Sequence, residues 1–116
     1  MRLILLLVVI LTALSGWAGA QTKPGQGTGD KLHEYCGAGK SSWMESYCFR
    51  YITGILETAQ KNGYRLGGLT VCPPKDVTKG EVVDAVKAWL SKHSEERQLS
   101  AENLIAKALS QAWPCG

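Results

Sequence analysis

The sequence predicts an all-α fold: a small disulfide-stapled bundle of three main helices with a short N-terminal helix ahead of them. Three observations carry this. Three segments begin with a helix-capping residue and continue with apolar residues at three- and four-residue spacing. No segment shows sustained period-two alternation, so no strand of ordinary length is expected. Four cysteines lie in a short chain of 116 residues that opens with an export-type leader. One modest core is all such a length supports, which excludes a two-domain enzyme, a TIM barrel or a full dinucleotide fold.

Residues 1–20 read MRLILLLVVILTALSGWAGA. Arg2 gives a short positive start, Leu3–Leu14 is apolar except for Thr12, and Ala18-Gly19-Ala20 is a small-x-small cleavage site. The apolar run is short for a bilayer span, so a cleaved signal peptide is expected and no stable membrane insertion after cleavage. No cysteine stands near the new N-terminus to be lipidated. The remaining 96 residues hold 12 basic and 10 acidic side chains. That small, interspersed excess argues against a nucleic-acid partner, which favours a basic stripe.

Residues 21–29, QTKPGQGTG, contain three Gly, one Pro and no large apolar side chain, so a flexible linker is expected before a domain at 30–116. Asp30–Cys36 is expected as the short helix, carrying Leu32 and Tyr35. The strongest helix spans 42–62. Ser42 and Glu45 make an S-x-x-E capping box, and Met44, Cys48, Tyr51, Ile52, Ile55, Leu56 and Ala59 recur on one face. Gly63 follows as a residue that tolerates positive φ. Gly54 costs this helix about 1 kcal/mol relative to Ala, and close helix packing is the expected reason for it.

Tyr64–Asp76 is a long connection in which Gly67-Gly68 and Pro73-Pro74 exclude a helix. Thr78 and Glu81 form a second capping box, with Val77 and Val82 at staple positions. The helix they open carries Val82, Val83, Val86, Trp89 and Leu90 and runs to about Lys92. Ser100 starts the third main helix, with Leu99 and Leu104 as its staple. Leu104, Ile105, Ala108, Leu109, Ala112 and Trp113 form its apolar face, and Pro114 stops it. Tyr51, Trp89 and Trp113 are expected in the core. Trp43 and Tyr47 fall at one helix edge, where a contact patch is the alternative to single surface aromatics, which are common and are the favoured reading.

Catalytic chemistry finds little support. Cys36, Cys48, Cys72 and Cys115 form no C-x-x-C pair, which argues against a zinc knuckle or a thioredoxin-type site. An even set of four in an exported chain reads as two disulfides, and the residues alone allow three connectivities. Oxidation of all four leaves no thiolate to pair with His33 or His93. His93 follows a helix C-terminus, where a cation is favourable, so capping is its expected role. Glu81, Asp84, Glu95 and Glu96 are expected as solvated helix-end charges. There is no G-x-S-x-G, H-E-x-x-H or phosphate loop. The expectation is a protein that is not an enzyme, with no catalytic, metal or cofactor-binding residue and no cofactor.

The ordered motifs support a resemblance over Leu32–Cys115. Cys36 is followed by Cys48-Phe49-x-Tyr51-Ile52-x-Gly54-Ile55, then by Cys72-Pro73-Pro74-x-x-Val77-Thr78 opening a helix with Val82, Val86, Trp89 and Leu90. Next comes His93-x-Glu95-x-Arg97. Ala101-x-x-Leu104-Ile105-x-x-Ala108-Leu109-x-x-Ala112-Trp113-Pro114-Cys115 completes the series. In these features the chain resembles the Rap/Tai family, immunity proteins for peptidoglycan amidases delivered by type VI secretion. It departs from the family at Ser94, where relatives tend to have Pro.

The resemblance implies a helical, disulfide-bonded periplasmic protein, often a homodimer, whose protein partner is a peptidoglycan amidase toxin with an occluded Cys/His cleft. The pairing Cys36–Cys48 and Cys72–Cys115 is expected, tying the incoming segment to the long helix and the Pro-Pro loop to the end of the last one. Two loops are candidates for partner binding. One is Tyr64–Val71, offering Tyr64, Arg65 and Leu69, residue types that include the aromatic and Arg anchors of interfaces. The other is His93–Arg97, offering His93, Glu95, Glu96 and Arg97. The first is favoured as the contact and the second as support. Because fold does not fix function, a periplasmic chaperone or stress protein and an envelope-associated structural module remain as alternatives.

Overall fold

The computed structural model describes residues 27–37, 39 and 42–116. The expected signal peptide and most of the expected linker lie outside these residues. The described chain forms four helices: α1 (Gly29–Cys36), α2 (Trp43–Lys61), α3 (Lys79–Lys92) and α4 (Ala101–Ala112). A short ribbon of β1 (Arg65–Leu66) and β2 (Leu69–Thr70) lies between α2 and α3, and a single 3-10 turn, Ser94–Glu96, joins α3 to α4. The domain is all-α with two disulfides, as the sequence predicts.

Each main helix starts where the capping residues say. Ser42 Oγ accepts from the Glu45 amide at 3.1 Å, Thr78 Oγ1 from Glu81 at 3.1 Å, and Ser100 Oγ from Asn103 at 3.4 Å. The box at α2 is only half made. Glu45 turns its Oε1 to Lys87 Nζ of α3, 2.9 Å away, and its Oε2 has no hydrogen-bond partner. A cross-helix ion pair has replaced the reciprocal local bond.

The core is shared by all four helices. Cys48, Ile52, Leu56 and Ala59 form the buried centre of α2, while Tyr51 and Ile55 flank it half-buried. Val82, Val86 and Leu90 come from α3, and Leu104, Ile105 and Leu109 from α4. Trp89 is buried, and its indole Nε1 donates to Gln111 Oε1 at 2.9 Å, which satisfies the one polar atom it carries. Trp113 is only half-buried against the core edge and Ala112 is exposed. Leu99, a proposed staple residue, is likewise exposed.

Cys36–Cys48 and Cys72–Cys115 are the two disulfides, with Cα–Cα separations of 5.1 and 5.0 Å. The first joins the end of α1 to the first third of α2. The second fastens the segment after β2 to the C-terminal tail, reinforced by the Cys72 amide donating to the Trp113 carbonyl at 2.8 Å.

Two glycines behave opposite to expectation. Gly54 has open space where a Cβ would stand, so close packing is not its reason. Gly29, assigned by composition to the linker, is a buried residue in the first turn of α1. The last residues of that linker are part of the domain. Thr28 caps α1 and pairs with Ser100 in an antiparallel bridge, Gly29 N donates to Leu99 O, and Ala101 N donates to Gly27 O. Composition could not reveal this, because the partners lie some seventy residues later in the chain.

Candidate functional site

The first candidate loop is shaped by three glycines of positive φ. Gly63 (φ 68°) ends α2, and Gly67 (φ 53°) and Gly68 (φ 81°) make the two-residue turn between β1 and β2, with both φ values positive as a type I′ hairpin demands. Arg65 pairs with Thr70 and Leu66 with Leu69. Gly-Gly was the sequence signal for this hairpin, but strands two residues long carry too little alternation to be read.

Tyr64 stands out. Among the described residues it is the one non-glycine with positive φ, at 65°. A bulky side chain in that region is strained and persists only where its surroundings fix it. Here the Tyr64 amide donates to Ala59 O at 2.7 Å, and the Tyr64 carbonyl accepts from Val71 at 2.9 Å. The ring is 44% exposed at the rim of a groove lined by Leu56, Gln60, Pro73, Pro74, Lys75, Val77 and Val82. Arg65 and Leu69 are exposed on the same hairpin. The loop thus presents an aromatic ring and an Arg on a backbone pinned at both ends.

The second candidate loop is bound inward. His93 stacks on Trp89 with ring centroids 3.9 Å apart, and its Nδ1 lies 2.7 Å from the Trp89 carbonyl. A carbonyl only accepts, so Nδ1 carries a proton and donates. Glu96 pairs with Lys107 of α4 at 2.6 Å, and Arg97 sits 3.8 Å from Asp30 of α1. The Arg97 carbonyl also accepts from the Asp30 amide at 2.7 Å. Of the four candidate side chains in this loop, Glu95 alone is exposed without such a contact. These side chains tie α3, α4 and α1 together.

A third surface is the helix edge of Trp43 and Tyr47, where the sequence favours single surface aromatics over a contact patch. Trp43 and Tyr47 are 68% and 45% exposed, yet they are not isolated. Tyr35 of α1 reaches both, at ring distances of 5.7 Å from Trp43 and 5.1 Å from Tyr47, and Tyr47 stacks with Tyr51 at 5.9 Å. Spacing of Trp43, Tyr47 and Tyr51 at four-residue intervals was the available signal. Tyr35 joins them only because α1 packs on α2. Burial, followed by the nearby charges of Glu102 and Tyr47, holds the Tyr51 phenol above its ordinary pKa.

All four thiols are consumed in disulfides, and His93 is engaged with Trp89. What faces solvent is a pinned hairpin, a half-exposed aromatic cluster and scattered charge. Fold and surface together define a small disulfide-stapled helical domain built to present contact surfaces. The chain belongs to the Rap1a immunity protein family, whose model matches residues 28–115. That match begins at the α1 cap and ends at the last cysteine, so it covers the folded domain. No curated protein and no solved structure matches the chain. Membership makes this an immunity protein against a secreted effector, with a protein as its partner.

Proposed function

We propose that this chain is exported to the periplasm and neutralises a peptidoglycan amidase effector of the type VI system by docking the Tyr64–Val71 hairpin at the amidase active-site cleft. It acts by steric occlusion and carries out no reaction of its own. The observation that carries the choice of loop is the left-handed, doubly hydrogen-bonded Tyr64 with its exposed ring. A preformed loop loses little entropy on binding, and Tyr and Arg are the residue types that dominate interface energetics. The two disulfides suit folding in an oxidising compartment. His93, Glu96 and Arg97 serve as support, since His93 bonds the Trp89 carbonyl while Glu96 and Arg97 form ion pairs with Lys107 and Asp30.

Calorimetric titration with a Cys/His peptidoglycan amidase tests this, read beside amidase inhibition. The parent should bind and inhibit. The double substitution Tyr64→Ala/Arg65→Ala should weaken binding by about 30-fold or more, the loss of roughly 2 kcal/mol expected for hot-spot residues. Glu96→Ala/Arg97→Ala should lower the melting temperature while leaving affinity close to the parent. Hairpin variants that bound and inhibited as well as the parent would dismiss the hairpin. A parent that bound no such amidase would return the function to the chaperone or envelope alternatives.

A further inference from the structure

The chain has two asparagines, Asn62 and Asn103, and the first is followed by a glycine at the entry to the hairpin. In an Asn-Gly pair the glycine nitrogen can attack the asparagine side-chain carbonyl, because no Cβ on the attacking residue blocks the approach. A fold can suppress this by burying the pair, by bonding the reacting groups or by holding them apart. The first two protections are missing here. Asn62 and Gly63 are both exposed. Among the described residues neither the Asn62 carboxamide nor the Gly63 amide makes a hydrogen bond, although the amides on either side do. Asn62 N donates to Thr58 O and Ala59 O, each at 3.1 Å, and Tyr64 N donates to Ala59 O at 2.7 Å. The third protection is the cap torsion. Asn62 has ψ 28°, and ring closure requires rotation about its Cα–C bond until the Gly63 nitrogen faces the side chain. That rotation opens the last turn of α2. Helix ends open at far lower free energy than a core, and opening here also releases the positive φ of Tyr64.

We propose that Asn62-Gly63 is a self-modifying junction whose conversion dismantles the cap that holds Tyr64. The Gly63 nitrogen gives up its proton and bonds Asn62 Cγ; the carboxamide C–N bond breaks and ammonia leaves, giving a succinimide. Water then adds to one of the two ring carbonyls and opens the ring. Release of Gly63 N from Cγ gives aspartate, and release from the main-chain carbonyl carbon gives isoaspartate. Isoaspartate routes the chain through Cβ and Cγ, which adds one carbon to the backbone between two amides that both bond Ala59 O. The pair no longer fits one acceptor, and Tyr64 leaves its left-handed torsion. Either product also puts a carboxylate at the C-terminal end of α2, where the helix dipole is already negative. The meaning of this for partner contact rests on the hairpin reading; the chemistry does not.

The test uses the full chain with both disulfides intact, held at mildly alkaline pH, where the attacking nitrogen loses its proton more readily, and sampled by peptide mapping. Asn62 should convert at least roughly ten times faster than Asn103. Asn103 lies within α4 ahead of the buried Leu104, whose amide is already bonded to Ser100 O at 3.1 Å. Hydroxylamine, which cuts the chain at a succinimide, should divide it after residue 62. Each disulfide lies wholly on one side of that point, so the two pieces should part in denaturant without reduction. Asn62→Gln should abolish both signals. In the purified isoaspartyl form the Tyr64 amide should exchange with solvent about tenfold faster than in fresh protein, as loss of its hydrogen bond requires. A native protein in which Asn62 lasts as long as Asn103, while the unfolded chain reacts at Asn62, would overturn the proposal. An isoaspartyl form with unchanged Tyr64 exchange would overturn it as well. No amidase enters these measurements, so the hairpin reading stands or falls separately.

Discussion

Two glycine-to-alanine substitutions should move stability in opposite directions, and the structure gives the reason. A Cβ at Gly29 would collide with Leu104 Cδ1 and stand 2.9 Å from the Arg97 carbonyl oxygen and 3.0 Å from Arg97 Cα. None of these can give way freely. Leu104 is fully buried, and the Arg97 carbonyl is held by the Asp30 amide at 2.7 Å. Overpacking of this kind costs about 1–3 kcal/mol, offset in part by up to about 1 kcal/mol from replacing a helical glycine. The net loss of about 1–2 kcal/mol should lower Tm by roughly 5–15 °C in a domain of this size. At Gly54 a Cβ meets nothing within 4 Å. Gly54→Ala should therefore gain about 1 kcal/mol, raising Tm by roughly 4–8 °C. Thermal unfolding of both variants and the parent, followed by far-ultraviolet circular dichroism with disulfides intact, decides the matter. A Gly29→Ala protein melting at or above the parent, or a Gly54→Ala protein melting below it, would refute the packing argument.

Other outcomes follow from the same structure. Trp89→Ala should cost roughly 3–5 kcal/mol, because it empties a buried site and removes the ring under His93. Trp113→Ala should cost less than half as much, since that ring is half-buried; chemical denaturation of the pair would show equal losses if the burial difference were unimportant. Removing Cys72–Cys115 should destabilise by about 4 kcal/mol and removing Cys36–Cys48 by about 3, because the longer loop frees more unfolded-state entropy. Matched double-alanine variants showing the reverse order would contradict that ranking. The raised Tyr51 pKa means the folded state keeps its phenol proton longer than the unfolded chain does. Its contribution is complete below about pH 10 and is lost as pH rises through the folded value. Tyr51→Phe should therefore reduce the loss of stability measured between neutral and strongly alkaline solution, and an unchanged pH profile would count against the shift.

The helices were legible because their determinants are local. Ser42, Thr78 and Ser100 cap within three residues of themselves, and the apolar spacing in α2, α3 and α4 states which face turns inward whatever it meets. Gly63 marked the end of α2 for the same reason, and the cysteine count announced a stapled domain. The candidate hairpin was legible as a place, since Gly-Gly and Tyr-Arg are adjacent in the chain, but the left-handed Tyr64 was not. That torsion is imposed by Ala59 and Val71 together.

Everything decided by partners distant in sequence had to come from the tertiary structure. Glu45 abandoned its own cap for Lys87, forty-two residues away, because packing α3 on α2 offered an ammonium at 2.9 Å. Arg97 and Glu96 became braces because α1 and α4 converge on the turn that carries them. Gly29 passed from linker to core, and Tyr35 joined Trp43, Tyr47 and Tyr51 in one surface, only when α1 settled against α2 and α4. A chain of 116 residues can specify its helices one turn at a time, but which side chains share a surface is a property of the pairing between helices, and no window of neighbouring residues contains it.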